Sequence, residues 1–142
     1  MPIVTDNGFL GEADTVQLIS LAALEAGGGD IASGLEIAND TQVTTLQPYL
    51  KLVPLIAVVF PNFADGRGFS LARRLRAAGF TGRMRAKGHV IADQFAMARA
   101  CGFDEVEIDT SLANRQPEAQ WLAARFDGGH ALSARRMREA AE

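Results

Sequence analysis

The 142 residues, 48% hydrophobic and 22% charged, suit one globular domain with a real core and exclude a disordered chain. A net charge of -3 argues against a general nucleic-acid binder, although the basic residues gather in Arg67–Lys87 and Arg135–Arg138 and leave a local anion site open. One cysteine, Cys101, excludes an intrachain disulfide and a cysteine metal cluster, and the two histidines, His89 and His130, lack metal-ligand spacing.

In chain order, Ile3-Val4, Asp6-Asn7-Gly8 and Phe9-Leu10 predict a small N-terminal hairpin, because Asn-Gly between apolar residues favours a tight turn. Val16–Leu24 is apolar without clean alternation and reads as helix. The glycines of Ala26–Asp30 require a loop. A strand follows at Leu35–Ala38. A short helix then carries Val43, Leu46 and Leu50 on one face, with Thr41 as its cap and Pro48 limiting its length. Leu55–Phe60 is a buried strand by length and β-branched content. Ser70–Ala78 is a helix with Leu71, Leu75 and Ala78 inward. Met84–Ala86 is a third strand, His89–Cys101 a helix with Ile91, Phe95 and Ala98 inward, and Glu105–Ile108 a fourth strand. Pro117 suits the first turn of a last helix bearing Trp121, Leu122 and Phe126.

Arg76-Ala77-Ala78-Gly79-Phe80 and Arg99-Ala100-Cys101-Gly102-Phe103 have one shape: a helix end, a stopping glycine and a phenylalanine entering a strand. This repeated unit implies an α/β fold with a parallel sheet of about four βα units, resembling half of a TIM-type barrel or a small open sheet. Residues 1–127 form the single domain, and 128–142 are a charged, alanine-rich tail. Four open strands leave apolar faces or edges to be covered by the hairpin or a second subunit, so a homodimer is expected. No signal peptide is read, and no run approaches the about 20 apolar residues of a membrane helix, so the expectation is a soluble cytoplasmic protein.

Ligands of parallel α/β sheets bind at the carboxyl ends of the strands, where helices begin. The loop Asp65-Gly66-Arg67-Gly68 occupies such a position. It reads either as a plain turn clamped by Asp65 and Arg67 or as an anion site. In the second reading Gly66 and Gly68 let backbone N–H groups approach, Arg67 supplies a planar fork oriented by Asp65, and Ser70 caps the helix. Lys87 and Gln94 complete the wall, with His89 and Asp93 as additional candidates. His89 reads equally as the partner of a backbone group, and Asp93 as a residue favoured by the helix dipole. Asn39-Asp40 and Asp109-Thr110-Ser111 read as helix caps. Cys101, at a helix C-terminus, reads as a small buried apolar residue. Neither a dinucleotide fingerprint nor a phosphate-binding P-loop is present.

The stretch FADGRGFSLARRLRAAGFTGRMRAKGHVIADQFAMARACGFDEVEI resembles a bacterial family, domain of unknown function family 934. Its hallmarks stand here as Asp65–Ser70, Gly82–Gly88, Asp93-Gln94 and Cys101–Asp104. The likeness runs from the start to about Phe126. Many members carry Asp where this chain has His89, and the basic tail lies outside the shared pattern. Members are often encoded beside assimilatory sulfite reductase and labelled as oxidoreductases of sulfite reduction by gene neighbourhood. The resemblance therefore implies an accessory or anion-binding protein of sulfite metabolism, with sulfite reductase or its electron donor as partner and a small oxyanion as ligand. The alternatives are an oxidoreductase acting in sulfite reduction and a non-catalytic partner of the reductase. Enzymatic activity stays open, and so does the cofactor: an oxidoreductase needs a flavin or nicotinamide held without a recognised signature. No metal site, nucleic acid or membrane enters this reading.

Overall fold

The structure, a computed structural model, describes residues 2–10, 17–27 and 34–124. The expectations for Val16, for the glycine loop beyond Gly27, for Phe126 and for the 128–142 tail fall outside these residues. Strand β1 (Ile3–Thr5) and strand β2 (Gly8–Phe9) form the expected antiparallel hairpin. Then come β3 (Leu18–Ser20), α1 (Leu21–Glu25), β4 (Gly34–Ala38), α2 (Val43–Leu46), β5 (Leu55–Phe60), α3 (Arg67–Ala77), β6 (Arg83–Gly88), α4 (Phe95–Cys101), β7 (Glu105–Glu107), α5 (Thr110–Arg115) and α6 (Glu118–Ala124). Short 3-10 turns at Gln47–Tyr49 and Ala92–Gln94 follow α2 and precede α4.

The strands make one sheet in the order β2-β1-β7-β6-β5-β4-β3. Strands β3 to β7 are mutually parallel, as the α/β reading requires, and the sheet does not close into a barrel. The hairpin protects one edge, because β1 pairs antiparallel with β7. The other edge is a departure from expectation. Leu18–Ser20 is a strand beside β4, not helix, and the helical stretch begins only at Leu21, capped by the Ser20 hydroxyl accepting from Ala23 N–H at 3.1 Å.

Alternation along the strands divides the sheet into two unlike faces. Leu35, Ile37, Ile56, Val58, Phe60, Met84, Ala86, Val106 and Ile108 join one core with Leu71, Leu75, Phe95, Ala98 and Trp121 from the helices. The opposite face carries Glu36, Arg83, Arg85, Lys87, Glu105 and Glu107. The register sets Glu36, Ala57, Arg85 and Glu105 in one row and Lys87 beside Glu107 in the next. Arg85 is 2% exposed and survives burial because Nε donates to Glu105 at 2.7 Å and Nη1 to Glu107 at 2.9 Å. Arg83 binds Glu105 at 2.9 Å, and Lys87 pairs with Glu36.

The repeated helix-Gly-Phe unit is built as two matching helix stops. Gly79 and Gly102 hold φ of 104° and 114°, which only glycine adopts without strain. Phe80 N–H donates to Leu75 O and Phe103 N–H to Ala98 O, both at 3.0 Å, and both rings are buried. Arg76 ties the two units together. Its guanidinium donates to Gly102 O, Phe80 O, Gly82 O and Asp104 at 2.8–3.0 Å. Cys101 is buried at the end of α4, as its place at a helix C-terminus implied.

Candidate functional site

The loop after β5 is fixed by its own polar side chains. Asn62 Oδ1 accepts from Ala64 N–H at 3.0 Å, and Asp65 Oδ1 accepts from Arg67 N–H at 3.1 Å. Helix α3 therefore begins at Arg67 with Gly66 as its N-cap. This corrects the sequence reading of Ser70 as the cap: Ser70 lies inside the helix, three residues past its start, because Asp65 already satisfies the first turn. The expected pair between Asp65 and Arg67 is present and bidentate. Arg67 Nε donates to Oδ1 at 3.0 Å and Nη2 to Oδ2 at 2.7 Å. The Asp65 side chain is 12% exposed and that of Arg67 62%. The guanidinium is thus anchored on one edge and open to solvent on the other.

Arg67 holds the Asp65 carboxyl far below the usual carboxylate range, chiefly through the side-chain hydrogen bonds, with the amide of Asn39 and the Arg67 N–H adding to the effect. Asn39 follows β4. It does not cap α2, whose N-cap is Gln42 without a side-chain bond. Thr41, also expected as a cap, instead donates its hydroxyl to Ala38 O at 2.7 Å. Asn39 is 5% exposed; its amide lies beside the Asp65 carboxylate and helps to lower that pKa, although Nδ2 meets no acceptor with full hydrogen-bond geometry. Asp40, exposed beside it, adds a further negative charge near Arg67.

The two glycines of the turn differ in their reason. A Cβ on Gly68 would stand 2.4 Å from Cζ of Phe60, so Gly68 is required for α3 to reach the end of β5. A Cβ on Gly66 would meet only Phe69 Cδ2 at 3.9 Å, and φ is -87°. Nothing within the fold requires glycine at 66.

The remaining candidates are drawn elsewhere. Lys87 lies on the charged face of the sheet, opposite α3, and pairs with Glu36, with Glu107 at 4.0 Å. Gln94 bridges the loop to the next one: its Oε1 accepts from Ile91 N–H at 3.1 Å and its Nε2 donates to Phe63 O at 3.0 Å. His89 Nδ1 donates to Phe60 O at 3.1 Å, which fixes the proton on Nδ1 because a carbonyl only accepts. This is the backbone-partner role that the sequence left open. The His89 ring meets Phe63 edge-on at 5.1 Å. Asp93 is exposed in the turn before α4. Asp109 caps α5 as expected, accepting from Leu112 N–H and from Ser111 Oγ at 2.7 Å each. Those bonds, the Leu112 N–H first, lower its pKa. Asp65, Gly66, Arg67 and Gly68 therefore form one turn with Asn39 beside it, while Lys87 and Gln94 have their polar groups committed to other contacts.

Asn39 was missed as a site residue because Asn-Asp before a helix is an ordinary cap signal. The charged face was missed although Arg83-Met84-Arg85-Ala86-Lys87 and Glu105-Val106-Glu107 alternate charge with period two. No metal-binding cluster of histidine, cysteine or acidic residues occurs among the described residues, and no described helix is long and apolar enough to cross a membrane.

No curated protein matches the chain. A family profile matches residues 34–138, a span holding the Asn39, Asp65–Ser70 and Asp93-Gln94 positions, and the chain belongs to that family, the bacterial proteins of unknown function DUF934.

Proposed function

We propose that the protein is an accessory, oxyanion-binding protein of assimilatory sulfite metabolism, with the ligand held at the Gly66–Gly68 turn. The observation that carries the binding reading is the Arg67 guanidinium, fixed on one edge by Asp65 over the start of α3 and open to solvent on the other, with the buried Asn39 amide beside the same carboxylate. Helix N-termini and oriented guanidinium groups attract oxyanions. The open space at Gly66 admits one close to the backbone. Asp65 and Asp40 flank the turn, so the site favours an oxyanion that retains a proton to donate to a carboxylate. Sulfite and phosphate protonate readily near neutral pH, whereas sulfate does not.

The sulfur assignment rests on the gene neighbourhood of the family that the chain resembles. Sulfite reductase or its electron donor is the partner in this reading, which also implies a cytoplasmic location. A homodimer fits the three-residue edge strand β3, which has a neighbour on one side only among the described residues. Deletion of the gene, followed by growth on sulfate, sulfite or cysteine as sole sulfur source, tests the assignment. Rescue by cysteine and not by sulfite is expected. Normal growth on sulfate and sulfite contradicts it.

A further inference from the structure

A groove of about 250 Å³ is lined by Phe63 of the β5–α3 loop and by Ile91, Leu112, Arg115, Gln116 and Gln120. None of the Asp65–Gly68 turn lines it. We propose that this groove is a second binding site, for a small carboxylate with a flat apolar body.

Three features carry the inference. The first is Phe63, a phenyl ring 39% exposed on a loop. The ring is held in place: Gln94 Nε2 donates to the Phe63 carbonyl, and the His89 ring braces it edge-on. Ile91 and Leu112 supply further apolar wall. The second is charge. The lining has one cation, Arg115, and no acid; Asp109, outside the lining, attracts Arg115 at a distance without a contact ion pair, so the guanidinium keeps its donors for a ligand. It stands at the C-terminal end of α5, where its guanidinium is the strongest donor available to a ligand. The third is a pre-set amide. Gln116 Oε1 accepts from Ala92 N–H at 2.7 Å, and Gln116 O accepts from Trp121 Nε1 at 2.8 Å. The turn between α5 and α6 is thereby locked, and the Gln116 amide is oriented with its Nε2 donor uncommitted. An apolar wall with a few convergent donors is the usual make-up of a small-molecule site. Here the donors are a guanidinium and two amides, which complement a carboxylate, and the apolar wall includes an aromatic ring, which complements a flat body.

Titration of the full-length, ¹⁵N-labelled protein with benzoate, benzyl alcohol and sulfate tests this by NMR. Benzoate is expected to shift the Gln116 and Gln120 side-chain amide signals saturably, and benzyl alcohol, with the same ring and no charge, only weakly. Arg115→Gln is expected to weaken benzoate about tenfold, as for a lost bond to a charged group. Arg115 is exposed and unbonded, so this variant keeps its fold. Phe63→Ala is expected to abolish the shifts. No saturable shift with benzoate, equal affinity for benzyl alcohol, an unchanged Arg115→Gln variant, or displacement of benzoate by sulfate would each overturn the proposal. Sulfate or sulfite shifts confined to Gly66–Gly68 report on the oxyanion turn alone, so the two sites succeed or fail separately.

Discussion

Gly68→Ala places a methyl group where the Phe60 ring already is. The new Cβ would stand 2.4, 2.7 and 2.9 Å from three ring carbons. The ring has nowhere to move: it is 2% exposed and packs against Phe69 at 4.9 Å and Phe103 at 5.7 Å between centroids. Overpacking of this kind costs about 1–3 kcal/mol, and a rigid ring puts it in the upper half of that range. Replacing glycine within a helix returns at most about 1 kcal/mol. The net loss is about 1–2 kcal/mol, or a Tm lower by roughly 3–6 °C for a chain of this size. Gly66→Ala is the matched control. Its Cβ meets nothing nearer than 3.9 Å, so the only cost is that alanine is a poorer N-cap than glycine, and the loss should stay below about 1 kcal/mol. Urea denaturation followed by circular dichroism measures both. A Gly68→Ala midpoint at or above wild type, or a larger loss in Gly66→Ala, refutes the packing account of the turn.

Asn39→Leu removes the buried amide beside the Asp65 carboxylate, so oxyanion binding should weaken and the fold should lose about 1 kcal/mol; unchanged stability and affinity mean that the amide supports neither the turn nor the ligand. Arg76→Ala strips three carbonyls and Asp104 of their donor and should cost roughly 2–3 kcal/mol in urea, with Arg76→Lys recovering little for want of the fork; a loss under about 1 kcal/mol would show the clamp to be dispensable. Because folding lowers the Asp65 pKa, its contribution is complete above the ordinary value of 3.8 and disappears as pH falls below it towards the folded value. Asp65→Asn should therefore flatten the acid limb of stability below about pH 4, and a variant that keeps the wild-type acid slope contradicts the pairing.

The parallel core was legible because its signals are local. Leu55–Phe60 is too apolar and β-branched to be anything but a buried strand, and Gly79-Phe80 and Gly102-Phe103 announce helix stops whose geometry only glycine supplies. Leu18–Ser20 was not legible: three residues become a strand only because β4 offers an edge, a contact that local pattern does not contain. The start of α3 was misplaced for a related reason. Ser70 is a good cap in isolation, but Asp65 reaches Arg67 N–H first. The Asp65–Arg67 pair was legible from its spacing. Asn39, Phe63 and Arg115 were not, since what marks them is an amide buried beside a carboxylate, an exposed ring held by its neighbours, and a guanidinium without a contact ion pair, all of which arise only on folding.

Isothermal calorimetry of the wild-type protein with sulfite, sulfate and phosphate, repeated with Gly66→Ala and Arg67→Lys, tests the oxyanion turn most directly. The account predicts saturable binding of sulfite, weaker binding of sulfate, and a loss of about tenfold or more in each variant, with Tm lower by no more than about 4 °C. An absence of binding by any oxyanion, or variants that lose stability and not affinity, would show that Asp65-Gly66-Arg67-Gly68 is a structural turn.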